Sequence, residues 1–437
     1  MFEPLYTAAE MKAAEAGHDV DAMMQRAGRA VAEVAMHRFP DAQRVALHAG
    51  KGANGGDAWI AADILRGEGR EVVDERPHLV IDGLLGTGLD GPPREETARV
   101  IDEINAGGAP VVAVDIPSGV NASTGEVAGA AVRADVTVTM HARKVGVVVA
   151  PGRFLAGDVV VADIGVEHAE THNRLVTPEI LELVPRKRAQ DNKYSAGSVL
   201  VVGGARGMTG AATLAARAAF RADAGYVTIA APPESLPVLE TLVVEAVKRP
   251  LDDVFEAAKR ASALALGPGL GRDRRDLVRR LLVQTALPTV VDADALHELE
   301  PFERAAPTVL TPHSGELARL LGEESAWVDA HRLEALARAV ERYRCVVLLK
   351  GADTLVGAPN AGVLVVGGDV PQLATAGTGD VLSGIVAAFL AKGMEPQLAA
   401  AAGATAQRVA AQRAGKSRGL TAGDVAEAIP NAFDAPL

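Results

Sequence analysis

Ala374-Thr375-Ala376-Gly377-Thr378-Gly379-Asp380-Val381-Leu382-Ser383-Gly384 is the stretch that decides how this chain is read. A glycine-rich turn leads into an aspartate, and a strongly apolar helix follows. Such a turn at a helix start exposes backbone N–H groups, and the helix dipole adds partial positive charge there. The arrangement suits a phosphate. A carboxylate beside it is repelled by phosphate unless it has work to do, such as taking a proton from a hydroxyl. A lone Gly-Asp is more commonly the first turn of a capped surface helix. The long apolar run after Asp380, and the other anion-type loops upstream, argue for a site.

Composition bounds the rest. A chain of 437 residues is too long for one ordinary domain, and two or three are expected. With 49% hydrophobic residues but 3% aromatics, its cores must be built from Ala, Val and Leu. The 45 glycines show no period, which points to many tight turns rather than collagen or a linker. A net charge of −12 implies no broad basic surface for nucleic acid. The single Cys345 excludes an internal disulfide framework and a zinc finger; placed before an apolar run, it is expected to be buried and inert. No membrane-length apolar stretch and no leader-like N-terminus are seen, so a cytoplasmic protein is expected.

The rhythm of the chain is that of two α/β domains, each with its own sheet. Helical spacing runs from Thr7 to Phe39 and stops at Pro40. Strands are expected at 44–49, 79–82, 111–115, 136–139 and 159–161, with helices at 57–66 and 94–106. Alternation of this kind means a parallel sheet covered by helices. Polar residues 167–174 and the basic Pro185-Arg186-Lys187-Arg188 mark a junction, dividing the chain into 1–172 and 173–437. A second series follows, with strands at 198–202, 227–230, 263–266, 289–291, 308–310 and 346–349 and a helix at 210–224. One feature conflicts with a regular sheet. Glu71-Val72-Val73 reads as a strand, yet five residues separate it from the strand at Leu79. Parallel neighbours need a crossover of roughly a dozen residues. Either this is not a strand or it pairs unusually.

Several turns could carry chemistry. Gly50-Lys51-Gly52-Ala53-Asn54-Gly55-Gly56-Asp57 joins a strand to a helix and contains the dinucleotide fingerprint, with Asp74 as its acidic partner. Asn54, Asp82, Asp115 and Ser118 all follow strands, where ligands of open α/β sheets gather. Each alone is an ordinary turn residue; four in register suggest an oxygen-rich site for a hard cation. In the second half, Gly203–Gly210, Gly267-Pro268-Gly269-Leu270-Gly271, Thr311-Pro312-His313-Ser314-Gly315-Glu316 and Lys350-Gly351-Ala352-Asp353-Thr354 occupy the same kind of position. His313 alone is more commonly a helix cap, whereas Lys350 directly after a buried strand is hard to explain as a solvated charge. There is no G-x-S-x-G elbow, no H-E-x-x-H and no complete Walker A; Ala414-Gly415-Lys416-Ser417 lacks its first glycine.

Taken together, these motifs resemble the bifunctional NAD(P)H-hydrate repair family. The second half resembles the ribokinase-like dehydratase through Lys193–Gly197, Gly267–Gly271, Asp292–Leu296, Thr311–Glu316, Lys350–Thr354 and Ala374–Gly384. The first half resembles the epimerase through Gly52–Asp57, Asp82–Gly88 and Val114–Gly119. The resemblance implies a Rossmann-like three-layer epimerase domain followed by a ribokinase-like α/β domain. It implies an isomerase acting on the R and S hydrates of NADH and NADPH. It also implies a lyase that dehydrates the S hydrate with ADP (or ATP) and Mg2+, leaving AMP and phosphate. It implies potassium held by Asn54, Asp82 and Ser118. Hydrate contacts are implied at Ala53, Asn54, Gly55, Gly56, Asp57, Gly86, Thr87, Gly88, Leu89, Asp90, Gly91, Pro92 and Asp115, with Asp115 as acid–base residue. In the second domain Ala211, Gly271, His313 and Asp380 match hydrate contacts, while Lys350, Gly351, Ala352, Asp353, Thr354 and Gly379 match nucleotide contacts. A homo-oligomer with small-molecule substrates, and neither nucleic acid nor membrane as partner, is expected. Departures are Ala53 where the family has Asn, Ala58 where it has Gly, and a segment around 67–78 too short for the family's extra strand and helix. A Rossmann-type NAD-dependent dehydrogenase, a ribokinase-like small-molecule kinase with a non-catalytic N-terminal module, and a nucleotide-binding regulator remain the alternatives at this point.

Overall fold

The computed structural model describes residues 1–167 and 169–434. It divides the chain into two compact units: Pro4–Arg174 with Asp329–Arg332, and Leu175–Val328 with Leu333–Leu437 and Met1–Glu3. The first three residues thus fall with the later unit. The sequence signals no boundary there, because Phe2–Leu5 is a short strand with a proline, the composition of a sheet edge.

The smaller unit holds a sheet of six parallel strands. Their spatial order is Glu71–Val72, Arg44–Ala49, Leu79–Gly83, Val111–Val114, Val136–Met140 and Asp158–Ala162. The inner strands are apolar runs buried on both faces, as a helix-covered parallel sheet requires. Two N-terminal helices, Ala8–Glu15 and Val20–Arg38, precede it, and both start on a side chain that caps the helix, Thr7 and Asp19.

The short connection resolves itself at the sheet edge. Glu71 and Val72 pair with Arg44 and Val45, at the beginning of the central strand. Leu79 pairs with the same Val45 from the other side. Both strands therefore start level, and a two-residue strand has no length to run back. Residues 73–78 carry no helix; they turn beneath the strand, with His78 N–H donating to Arg44 O at 2.7 Å and Arg44 Nη2 to Glu75 O at 2.6 Å.

The larger unit carries an eleven-stranded sheet. From Val346–Leu349 through Thr308–Leu310, Thr289–Val291, Ala263–Leu266, Ser198–Val202 and Tyr226–Ala231 to Val247–Pro250 all pairs are parallel. The strands Thr354–Gly357 and Leu364–Val366 extend it as an antiparallel hairpin, which the sequence reading did not anticipate. At the centre lies the helix Thr378–Ala391, in which every residue from Val381 to Leu390 is buried. A helix apolar all round belongs inside a large core. Its neighbours are lined with alanine: Thr209–Arg221 buries five and Pro396–Arg413 buries eight. Among the described residues no helix is long and apolar enough to cross a membrane.

Small residues let these helices approach until backbones touch. A Cβ on Gly384 would lie 2.1 Å from Ala215 O, a backbone atom of the facing helix. Alanine at a helix interior gains about 1 kcal/mol in propensity over glycine, whereas overpacking a tight core costs about 1–3 kcal/mol. The Gly384→Ala variant is therefore expected to unfold at a lower temperature than the wild type. An unchanged or raised midpoint in calorimetry would show that the two helices can separate freely.

Candidate functional sites

In each unit the polar residues collect at the carboxyl ends of parallel strands, as the fold type directs. In the smaller unit the chain leaves Arg44–Ala49 through the Gly50–Gly52 turn and enters the helix Ala53–Gly67. Asn54, in its first turn, donates through Nδ2 to Val114 O at 2.6 Å, which fixes the helix start over the end of another strand. Its Oδ1 then faces Gly86, where a Cβ would lie 2.2 Å away. Glycine at 86 is thus a requirement of close approach. Asp82 is fully buried and accepts from Ser118 Oγ at 2.6 Å, Ser118 N at 2.9 Å and Leu84 N at 3.2 Å. Burial pushes its carboxyl up to about 6, against the lowering effect of the Ser118 and Leu84 hydrogen bonds. Asp82 and Ser118 are directly joined; Asn54 bonds to neither. The loop from Gly86 to Pro92, with Thr87, Gly88, Leu89, Asp90 and Gly91, follows the Asp82 strand and leaves Gly88, Asp90 and Pro92 exposed.

Asp115 sits at the next strand end in the left-handed region, φ 66°, a conformation that non-glycine residues adopt rarely and mostly at functional sites. Thr139 Oγ1 at 3.2 Å, Met140 N at 2.9 Å and the Lys144 ammonium all donate to its Oδ1, and among the described residues no hydrogen bond reaches Oδ2. Lys144 is wholly buried and also donates to Met140 O at 2.7 Å. Sequence reasoning missed it, because a lysine 29 residues from its partner leaves no local signal. Asp57 is 6% exposed and its Oδ1 has no hydrogen-bond partner. Burial pushes its carboxyl up to about 7, helped by the charges of Asp115 and Glu15 and opposed by Lys144. Asp74, the acid that completed the dinucleotide fingerprint, lies after the edge strand at the amino end of the sheet. The edge strand pairs only with Arg44 and Val45 and stops well short of the Gly50 turn.

In the larger unit Asp292 ends one strand and Lys350 another. Lys350 Nζ donates to Asp292 Oδ1 at 2.8 Å and lies 3.8 Å from Glu316 Oε2. Ser383, on the central helix, donates to Asp292 Oδ2 at 2.6 Å. Asp292 is 1% exposed, and these bonds serve both its oxygens. Burial pulls the Lys350 ammonium down, yet the charges of Asp292 and Glu316 outweigh it and the pKa is raised. A Cβ on Gly379 would lie 3.3 Å from Lys350 Nζ, so the helix start passes directly over the ion pair. Gly377, the helix N-cap, has φ 90°, which suits glycine. Asp380 stands in that first turn. Burial pushes its carboxyl up to about 7, with Asp292, Asp294 and Glu316 adding to the shift and Lys350 opposing it.

The remaining predicted residues surround this centre. His313 is indeed a helix cap: its Nδ1 accepts from Gly315 N at 3.0 Å and Glu316 N at 3.3 Å, while Glu316 Oε2 accepts from His313 N at 2.9 Å. Gly271 N donates to Asp294 Oδ2 at 3.0 Å, and Ala211 lies against the same glycine turn. Gly351 and Ala352 are exposed, Asp353 is buried, and Thr354 opens the hairpin. Asp292 and Ser383 lie within the Asp292–Leu296 and Ala374–Gly384 motifs, but their partnership exists only once strand and helix are packed. Cys345 is buried, and burial pushes its thiol up to about 12, which makes it inert.

Two α/β units with carboxylate–lysine clusters at their strand ends define a nucleotide-type enzyme, and comparison with known proteins narrows the class. Residues 199–431 match the family described as NAD(P)H-hydrate dehydratase. Residues 20–74 and 71–146 match the YjeF-related protein N-terminus, and that match breaks at the shortened segment. The bifunctional NAD(P)H-hydrate repair enzyme Nnr of Moorella thermoacetica is 36% identical over 93% of this chain and 91% of its own. That of Escherichia coli is 34% identical, over 89% and 84%. Among solved structures, the ADP/ATP-dependent NAD(P)H-hydrate dehydratase of Bacillus subtilis, co-crystallised with ATP/Mg2+, is 25% identical. It superposes with a TM-score of 0.55 over 59% of this chain and 96% of that one. A ribokinase-like protein of Enterococcus faecalis shares the fold, at 22% identity and a TM-score of 0.54 over 61% and 97%. The chain belongs to the family of bifunctional NAD(P)H-hydrate repair enzymes.

The Asp292–Lys350 pair predicts its own test. Removing one member of a buried pair leaves a charge without compensation, at a cost of about 3–5 kcal/mol. Asp292→Ala is expected to lower the midpoint of chemical denaturation accordingly. Asp292→Asn, which keeps the volume, is expected to bring the Asp380 pKa down, because one of the charges that raise it is gone. Titration of Asp380 by NMR checks this, and an unmoved pKa would refute the coupling.

Proposed function

We propose that this chain restores hydrated NADH and NADPH in two reactions, one in each unit. The smaller unit interconverts R and S hydrates. The larger unit transfers a phosphoryl group from ADP or ATP to the hydroxyl of the S hydrate, and loss of phosphate restores the nicotinamide double bond. The observation that carries this reading is Asp380, a carboxylate in the first turn of a buried helix, beside Lys350 and just after the glycine N-cap Gly377.

The chemistry follows from these positions. Asp380 takes the hydroxyl proton as the oxygen attacks the terminal phosphorus, so with ADP the leaving group is AMP. The phosphate then departs with the C–O electrons while the neighbouring carbon gives up a proton. Lys350 supplies the positive charge that phosphoryl transfer needs, and Asp292 and Glu316 hold it in place. Lys350 to Thr354 and Gly379 are the nucleotide contacts. Ala211, Gly271, His313 and Asp380 face the hydrate. The nucleotide and magnesium find support in the Bacillus subtilis dehydratase structure with ATP/Mg2+. Asp294 and Glu316, partly exposed carboxylates beside Asp380, would hold the ion, which would screen the phosphate charge.

In the smaller unit Asn54, Asp82 and Ser118 would hold potassium. Asp82 fits: it is a buried carboxylate with no cation of its own, and a cation would offset the burial that raises its pKa. Asn54 fits because Nδ2 is spent on Val114 and Oδ1 is left as the free acceptor. Ala53, Asn54, Gly55, Gly56, Asp57, Asp115 and the Gly86–Pro92 loop are the hydrate side of this pocket.

One assay tests the whole reading. Each purified hydrate epimer is supplied with ADP and NADH absorbance is followed. Recovery from the S hydrate without delay, and from the R hydrate through the same protein, is expected; no nucleotide-dependent recovery from the S hydrate would refute the proposal. Asp380 acts ionised, so the rate should rise with pH through about 7, the folded-state value. Asp380→Asn should lose about 10²–10⁴-fold in rate. The ionised carboxylate is disfavoured by burial, so the variant should be at least as heat-stable as the wild type at pH 8. A variant with wild-type turnover would reduce Asp380 to a helix residue.

Potassium has a separate readout. Asp82 is ionised in the folded protein only above about pH 6. At pH 8 potassium chloride is expected to raise the unfolding temperature over choline chloride, and the difference should vanish as the pH falls below 6. Asp82→Asn should show no difference at any pH. Equal midpoints in both salts at pH 8 would remove the ion from the proposal.

A further inference from the structure

Asp57 has so far been only a residue of the pocket, yet its environment is that of a proton donor. It lies one helical turn after Asn54, and the Asn54–Val114 bond places that turn over the strand end from which Asp115 projects. Asp115 is held through Oδ1 alone, by Thr139, Met140 N–H and Lys144, which leaves Oδ2 for a ligand. Asp57 keeps an oxygen without any partner although it is almost wholly buried. The ionisable groups that act on it are Asp115, Glu15 at the end of the first helix, and Lys144. With one lysine among three carboxyls, the cluster cannot carry three negative charges at low cost; two like charges in one site separate into one ionised and one protonated group. Lys144 pairs with Asp115 and offsets its charge, while the Asp57 oxygen has no partner, so Asp57 is the member that keeps the proton.

We propose that Asp57 and Asp115 form the acid–base couple of hydrate epimerisation, with Lys144 as the positioning residue that holds Asp115 through an ion pair to Oδ1. The inference rests on the epimerase reading of the smaller unit and names its chemistry. Water adds to the enamine double bond of a dihydronicotinamide so that the hydroxyl sits on the carbon next to the ring nitrogen. That carbon is a hemiaminal and can invert by ring opening. Asp115 takes the hydroxyl proton, the O–H electrons form a C=O bond, and the C–N bond breaks. The nitrogen receives its proton from Asp57. Rotation about the neighbouring C–C bond presents the other face of the aldehyde. On closure the nitrogen attacks that face and returns its proton to Asp57, and Asp115 returns the other to oxygen. Every proton is restored, so the couple needs no resetting between turnovers.

The test compares R-to-S conversion in wild type, Asp57→Asn and Lys144→Met, using full-length protein. Thermal unfolding and dehydration of the S hydrate by the same samples report whether each is folded. Asp57→Asn is expected to lose about 10²-fold or more in epimerisation. The wild-type rate is expected to fall as the pH rises through about 7, where Asp57 gives up its proton, and the residual rate of the variant to lack that fall. Folded Lys144→Met is expected to lose rate too. If it does not fold, the Asp57→Asn profile still decides. Epimerisation in isotopically labelled water should leave the hydroxyl oxygen unlabelled on each turnover, since ring opening keeps it. Labelling at the epimerisation rate would overturn ring opening. Wild-type conversion together with an unimpaired Asp57→Asn variant would overturn the couple alone. A wild type that does not accelerate conversion at all would overturn the epimerase reading and the couple with it.

Discussion

The larger unit is organised around one buried carboxylate. Asp292 has almost no exposed surface, and it is tied to Lys350 at 2.8 Å and to Ser383 at 2.6 Å. An isolated carboxylate at that depth is ruled out energetically. The strand ends that carry Asp292 and Lys350 must therefore stay in register, and the central helix must present Ser383 to them. The same constraint brings the first turn of that helix, with Gly379 and Asp380, over the lysine. Fold and chemistry are fixed by one set of bonds. The charge that keeps Lys350 protonated is also among those that push Asp380 up to about 7.

The smaller unit solves a similar problem with different elements. Lys144 is buried with Asp115, and a second carboxyl, Asp57, is pushed up to about 7 beside them. In both units a lysine–aspartate pair is accompanied by an aspartate whose proton is held near neutral pH. Such pairs of environments separate acid from base among chemically identical side chains. The backbone contributes as well: Asp115 takes a left-handed φ that directs it away from the strand, and Gly86 leaves room for Asn54.

The packing of the larger unit is built from small residues. Alanines line the helices on both sides of the central one, and glycine allows a backbone contact at Ala215. With so few aromatics, tightness must come from close approach rather than from large side chains. The rigidity of the helix start follows, since a helix buried from Val381 to Leu390 cannot tilt without opening gaps along its length.

The sequence by itself determined the two α/β units, most strand positions and the glycine turns at their ends. These signals are local: apolar runs of strand length, helical spacing, and glycines where a chain must turn tightly. Strands at residues 44–49, 198–202, 263–266, 289–291, 308–310 and 346–349 are found where the apolar runs place them. Asp380 and Lys350 were legible because each breaks an apolar context that leaves no solvated role. Only the tertiary structure decided which residues meet. Asp74 lies the right number of residues after the Gly50 turn, yet the edge strand that precedes it is two residues long and pairs at the amino end of the sheet. Lys144 lies in no motif, and the motifs that hold Asp292 and Ser383 do not say what the two touch; strand order and helix packing join the three to partners 29, 58 and 91 residues away. A buried charge needs a partner in space, and distance along the chain does not record which one it will find.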